Sequence, residues 1–210
     1  MFADLSIKSF LDNVASGEPA PGGGSVSALC GSLSAALAEM VARLTMGKVK
    51  NDKAIEKKMS EILETASKLR KVFAEDIDRD SAAYVAVMKA YKMPKETDRE
   101  KKERQNAVQE ALKEAARVPL EVAEMGMLAL SLAETLVKEG NQNAITDAAV
   151  AALIARSAII GALYNVRINL LSIKDATFRD RVKHEAERIE REAMAKEKDI
   201  LALASSVISG

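Results

Sequence analysis

Apolar and polar positions alternate along this chain with helical periods almost throughout. Ser6 precedes Ile7, Phe10, Leu11 and Val14, an i, i+3, i+4, i+7 set that predicts a short capped helix ended near Gly17. A loop with two prolines and three consecutive glycines, Pro19-Ala20-Pro21-Gly22-Gly23-Gly24, leads into a small-residue helix from about Ser25 to Thr45. Its Ala, Ser and Gly31 positions let other helices approach closely, so it reads as buried. From Asp52 to about Lys92 the pattern is one long helix closed by Pro94. Its seam runs Ile55, Met59, Ile62, Ala66, Leu69, Phe73, Asp76, Asp80, Ala83, Val87, an apolar stripe interrupted by two carboxylates.

Thr97 with Glu100 forms a capping-box signature for a helix to Val118, where Pro119 either kinks it or starts another that ends near Gly140. An interior-type helix follows over roughly Thr146 to Leu171, and a heavily charged one over about Asp175 to Ile208. No repeat, low-complexity segment or linker divides the chain. The expectation is an all-α multihelical array of long and short helices, with residues 1–210 as one domain. Long helices with small-residue faces exceed what a single monomeric layer can cover, so a homodimer is expected.

Composition narrows the chemistry. The 210 residues carry 31 basic and 31 acidic side chains, a formal net charge of zero that gives no reason to expect a nucleic acid partner. With 48% hydrophobic residues the chain can build a core, and four Phe, three Tyr and no Trp leave little β-favouring content. One cysteine, Cys30, cannot form an intramolecular disulfide, and one histidine, His184, removes site chemistry that needs two imidazoles. Residues 1–10 lack a signal peptide's basic start and apolar core, and stretches such as Val26 to Ala38 carry several serines. A cytoplasmic protein without membrane attachment is expected.

Three constellations could carry chemistry. Gly22-Gly23-Gly24-Ser25 at a helix start suits an anion, because glycines admit close backbone approach and unpaired amides point outward; an ordinary turn with a serine cap fits as well. In the acidic run Glu75, Asp76, Asp78, Asp80, the helical angle puts Asp80 almost in line with Phe73 and turns Asp78 well away. An inward Asp80 would have its pKa raised by desolvation, as an acid/base group requires, or would sit in a buried salt bridge. The third is Gly140-Asn141-Gln142-Asn143 with Thr146-Asp147, where amides and a carboxylate could meet a flat heterocycle or merely cap helices. Lys48 adds a cation at the end of the second helix, and Asn165 and Asn169 lie one turn apart in an otherwise apolar one.

Taken in order, Pro19-Ala20-Pro21-Gly22-Gly23-Gly24-Ser25, then residues 40–48, Asp80-Ser81-Ala82-Ala83-Tyr84, Val118-Pro119-Leu120, residues 140–147 and residues 165–175 resemble the cyclodeaminase/cyclohydrolase family over nearly the whole chain. The resemblance implies an all-helical dimer acting on a one-carbon unit held between N5 and N10 of tetrahydrofolate, without metal or other cofactor. It implies either water opening a methenyl bridge to give 10-formyltetrahydrofolate, or N10 attacking an N5-formimino carbon with loss of ammonia. The family's acidic proton donor corresponds to Asp80, with Asp78 as the neighbouring candidate. Lys48 is a second polar catalytic candidate, and Gly22, Gly23, Gly24, Ser25, Asn143 and Asp147 are candidates for folate contact. Thr146 and Tyr84 stand where the family often has serine and phenylalanine. A chain without the transferase domain is expected to be a cyclohydrolase or to work with a separate formiminotransferase. The competing expectation is a non-catalytic helical folate-binding or scaffold dimer. For the substrate's glutamate, Arg43, Lys50, Lys53, Arg156 and Lys174 are equivalent cations at this level.

Overall fold

The computed structural model describes residues 1–46, 48 and 52–209, and these form six α-helices, two single 3-10 turns and no strand. The helices are α1 (Ile7–Val14), α2 (Gly23–Met46), α3 (Lys53–Tyr91), α4 (Asp98–Glu139), α5 (Ile145–Leu170) and α6 (Ala176–Ile208). Four starts carry side-chain caps, Ser6 and the Thr97–Glu100 box as expected, while α5 starts after Ala144 without one. Ser6 accepts from the Ser9 amide, Asp52 from Ala54 and Ile55, and Asp175 from Phe178, while Thr97 and Glu100 close a reciprocal capping box.

Two boundaries differ from the sequence expectation. α2 begins at Gly23, so Ser25 lies inside its first turn, where its hydroxyl reaches across to α3 instead of capping its own helix. α4 runs unbroken through Pro119. Proline lacks the amide that would bond the Ala115 carbonyl one turn back. Asn169 Nδ2 of α5 supplies that donor at 2.8 Å, so tertiary packing repairs the break locally.

α2 is central and antiparallel to both α3 and α5: Ser25 meets Ile77, Ser32 meets Arg70, Ser34 meets Ala151, and Thr45 meets Asn141. α4 covers α3 and α5, and α6 closes the far side through Arg167–Glu190 and Lys196–Glu134. Close approach depends on small residues. A Cβ on Gly31 would lie 2.6 Å from the Phe73 ring, and one on Gly126 2.5 Å from Ile159. Phe73, Met59, Leu130, Ile159 and Leu163 are thereby fully enclosed, each worth about 1.5–3 kcal/mol of transfer free energy.

One surface stays apolar. The outward stripe of α2 runs Val26, Leu33, Leu37, Met40, Leu44, and that of α5 runs Val150, Leu153, Ser157, Ile160, Tyr164, Ile168, at heptad-like spacing with one serine and no charged residue. Both helices are long and apolar enough to cross a membrane by length and composition alone, with about half of each buried by neighbouring helices.

Candidate active site

The glycine turn, the middle of α3 and the C-terminal half of α5 converge on a cleft of about 330 Å³, within the range of small-molecule sites. Residues 19–20 and 22–24 form one wall, Asp80, Ser81 and Tyr84 a second, and Asn165, Ile168 and Asn169 a third. The peptide bond between Ala20 and Pro21 is cis.

Asp80 is held at the start of α2. The Ser25 hydroxyl lies 2.8 Å from the Ile77 carbonyl, 3.1 Å from Asp80 Oδ2 and 3.1 Å from Ser81 Oγ, so its single proton serves one acceptor at a time. The anion attracted by the glycine-rich helix start is therefore the chain's own carboxylate. Glycine at position 24 is a steric requirement, because a Cβ there would stand 2.0 Å from Asp80 Oδ1. Burial pushes the Asp80 pKa above the ordinary carboxylate value, opposed by bonds from the Ser25 hydroxyl and backbone amide that favour the ionised form. A half-buried carboxyl with a raised pKa beside a cleft can accept and return a proton.

The amides of α5 have fixed orientations. Asn165 Nδ2 donates to the Gly161 carbonyl at 2.9 Å, and Asn169 Nδ2 to the carbonyls of Ala115 and Asn165. The Asn169 amino group is fully occupied by its two oxygen acceptors, whereas that of Asn165 keeps one N–H, and each side chain can offer its Oδ1 atom to a ligand as an acceptor. Sequence reasoning singled out both residues without assigning them; the missing signal was Pro119, whose freed carbonyl sets the Asn169 rotamer.

Other candidates lie elsewhere in the protomer. Asp78 points away from the seam and accepts from the Phe2 amide at 2.7 Å and the Ala3 amide at 3.3 Å, anchoring the N-terminal turn. Lys48 is exposed beyond the end of α2, so the 24 residues of that helix, roughly 36 Å at 1.5 Å each, separate it from the glycine turn. Asn143 and Asp147 share that distant end: Asn141 bonds Thr45 and accepts from the Asn143 amide, tying the loop to the end of α2. Because α2 and α5 are antiparallel, the start of α5 cannot reach Asp80 within one chain. Gly47 and Lys50 lie outside the described residues.

A larger furrow of about 650 Å³ between α4 and α6 is chemically quieter. Its Arg188 bridges Glu185 and Glu192, so that cation is already engaged by carboxylates of its own helix.

A sequence model of the formiminotransferase-cyclodeaminase family matches residues 6–188. The methenyltetrahydrofolate cyclohydrolase of Methylorubrum extorquens is 40% identical over 195 residues, which is 93% of each chain. The formimidoyltransferase-cyclodeaminase of Rattus norvegicus is 33% identical over 190 residues, 90% of this chain but 35% of that protein, so here the chain spans about a third of its relative. The crystal structure of formiminotetrahydrofolate cyclodeaminase from Thermotoga maritima aligns with a TM-score of 0.88 at 33% identity, covering 99% of this chain and 100% of that one. A match over most of the length, together with a shared fold, shows that the chain belongs to the formiminotransferase-cyclodeaminase family.

Proposed function

We propose that this protein is a tetrahydrofolate one-carbon enzyme, either a methenyltetrahydrofolate cyclohydrolase or a formiminotetrahydrofolate cyclodeaminase, with Asp80 as its acid/base group. The observation that carries this reading is a carboxyl of raised pKa, seated on a helix start and lining a cleft, in a chain of this family. In the hydrolase reaction, ionised Asp80 takes a proton from water as the water oxygen bonds to the bridging carbon. Protonated Asp80 then returns it to N5 as the carbon–N5 bond breaks, and the hydroxyl proton passes to solvent as the formyl C=O forms on N10. In the deaminase reaction, N10 attacks the protonated formimino carbon and passes its proton to ionised Asp80, which returns it to the amino nitrogen as the carbon–nitrogen bond breaks and ammonia leaves. The same proton shuttle serves both, and the identity of the leaving group separates them. The Asn165 and Asn169 oxygens suit the N–H edge of a reduced pterin.

The test is turnover by the purified protein, followed through methenyltetrahydrofolate absorbance and corrected for spontaneous hydrolysis. Loss of the methenyl compound that Asp80→Asn abolishes marks a cyclohydrolase. Its formation from formiminotetrahydrofolate, with ammonia release, marks a cyclodeaminase. Turnover of neither by folded protein overturns the reading in favour of a non-catalytic binding dimer.

The functional unit in this reading is a homodimer joined through the apolar α2/α5 face. A face without charges meets its own copy without like-charge repulsion. The protomer exposes 11417 Å², above the about 9,500 Å² of a compact monomer of 22.6 kDa. That excess is ample for a stable interface. In an antiparallel pairing of α2 with its copy, the end bearing Lys48, Asn143 and Asp147 would approach the partner's Asp80, uniting candidates that one chain holds apart. Sedimentation should give twice the chain mass, reduced to one chain by Leu33→Glu with Leu153→Glu; a monomeric wild type overturns the dimer.

A further inference from the structure

A carboxyl that holds a proton at one moment and a charge at the next needs neighbours that suit both states. Around Asp80 those neighbours are not ions. Among the described residues α2, α4 and α5 bring no charged side chain to the cleft, and Tyr84 is the one other titratable group on its wall. One turn back on α3, Arg79 is engaged by Asp76 and by Glu121 of α4. What remains beside Asp80 is a pair of hydroxyls. Ser25 is fully enclosed, Ser81 nearly so, and their oxygens lie 3.1 Å apart.

The Ser25 proton has two oxygens to choose between besides Ser81, the Ile77 carbonyl at 2.8 Å and Asp80 Oδ2 at 3.1 Å. The carbonyl can release it. It lies inside α3, where the amide of Ser81 four residues on is its helical donor, so it stays bonded when the hydroxyl turns away. A hydrogen bond to an ionised carboxylate is stronger than one to a neutral carboxyl, so the charge on Asp80 decides which way the hydroxyl points. Whenever Ser25 donates to either oxygen, its contact with Ser81 is a bond that Ser81 donates, and the Ser25 oxygen is held through both states.

We infer that Ser25 and Ser81 are positioning residues for Asp80: Ser25 turns its proton from the Ile77 carbonyl to Asp80 as the carboxyl ionises and back as it is protonated, while Ser81 anchors Ser25. The inference rests on the folate reading above and adds the groups that tune its acid/base. Neither hydroxyl exchanges a proton with substrate; only orientation changes. Ser25 has no exposed surface, so it acts through the carboxyl instead of touching a ligand. A hydroxyl that merely ties helices together is available for contrast. Ser34, also on α2 and fully enclosed, donates to the Ala151 carbonyl of α5 at 2.8 Å.

The experiment is the pH profile of kcat/KM for whichever folate is turned over, in wild type, Ser25→Ala, Ser81→Ala, Ser81→Thr and Ser34→Ala. Both proposed reactions begin with ionised Asp80, so activity falls as pH drops through its folded pKa. Ser25→Ala removes a donor to the ionised form and should move this acidic limb up by about one pH unit. Ser81→Ala should move it the same way by less, and Ser81→Thr, which keeps the hydroxyl, should restore the wild-type limb. Ser34→Ala should lower the melting temperature and leave the limb in place. A Ser25→Ala limb that coincides with wild type, or a Ser34→Ala limb that shifts equally, overturns the positioning role while the folate activity stands. A carbon NMR titration of the Asp80 carboxyl, assigned by its loss in Asp80→Asn, needs no substrate and should show the same upward shift in Ser25→Ala. Wild-type protein that turns over neither folate overturns the folate reading, and an unmoved NMR midpoint in Ser25→Ala overturns the hydroxyl pair separately.

Discussion

Asp76 and Asp80 lie one turn apart on the same seam of α3, yet the fold uses them in opposite ways. Asp76 is fully enclosed and pairs with Arg79 at 2.6 Å, and Arg79 reaches on to Glu121 of α4 at 2.8 Å. Its second oxygen is buried without a partner. Asp80 has no cation partner among the described residues; it faces a serine hydroxyl, a helix start and a cleft. Burial raises the pKa of both, but at Asp76 the Arg79 guanidinium opposes the shift, whereas at Asp80 the opposition comes from Ser25 alone. An ion pair holds a carboxylate in one state and joins helices. A neutral hydrogen-bonding shell beside a cleft leaves the proton exchangeable.

The strongest break of this comparison is Asp80→Asn, expected to lower turnover by about 10²–10⁴-fold while the helical circular dichroism is retained. Asp76→Asn should keep most of the activity; equal losses from the two changes would remove the distinction. Gly24→Ala comes next. It leaves the carboxyl in place chemically but displaces it, because the new Cβ would overlap Asp80 Oδ1, and turnover should fall about hundredfold. Kinetics beside a melting curve separate this from unfolding, since alanine is the better helix former.

Asp76→Ala should instead appear as lost stability, about 2 kcal/mol in denaturant unfolding, below the roughly 3–5 kcal/mol of a fully buried pair. Arg79 is half-exposed and retains Glu121, which moderates the loss. A pH series sharpens the contrast. Burial raises the folded pKa of Asp80 above its unfolded value of about 3.8, so ionised Asp80 weakens the fold above the folded pKa and costs nothing below the unfolded one. Asp80→Asn should therefore melt higher than wild type at neutral pH, with the gap closing as pH falls through the folded pKa. A gap that widens on acidification would contradict the assignment.

The smallest effect concerns the wall of the cleft. Asn169→Ala leaves the Ala115 carbonyl without its donor and should cost about 1 kcal/mol. In the Pro119→Ala background, the restored amide can serve that carbonyl, so the same change should cost less. Additive losses in the double-mutant cycle would show that the two positions are uncoupled.

How far the chain could be read in advance depended on the range of the interaction. Ser6, Asp52, Thr97 with Glu100, and Asp175 act within one turn, so helix starts were legible as local chemistry. The inward position of Asp80 followed from angular spacing relative to Phe73. Pro119 was ambiguous because the donor that keeps α4 continuous comes from residue 169, on another helix. The buried salt bridge considered for Asp80 belongs to Asp76, because Glu121 and Arg79 meet only where α4 crosses α3.

The amino-acid sequence by itself determined the all-helical architecture, the caps, the seam and the family motifs, because each is written in residues a few positions apart. Only the tertiary structure decided which motifs meet. Antiparallel packing of α2 against α3 and α5 brings Gly24, Asp80 and Asn165 to one end and carries Lys48, Asn143 and Asp147 to the other. Spacing along one helix sets angle and rise; the direction in which two helices pair is set by the fit of whole faces, which no short motif contains.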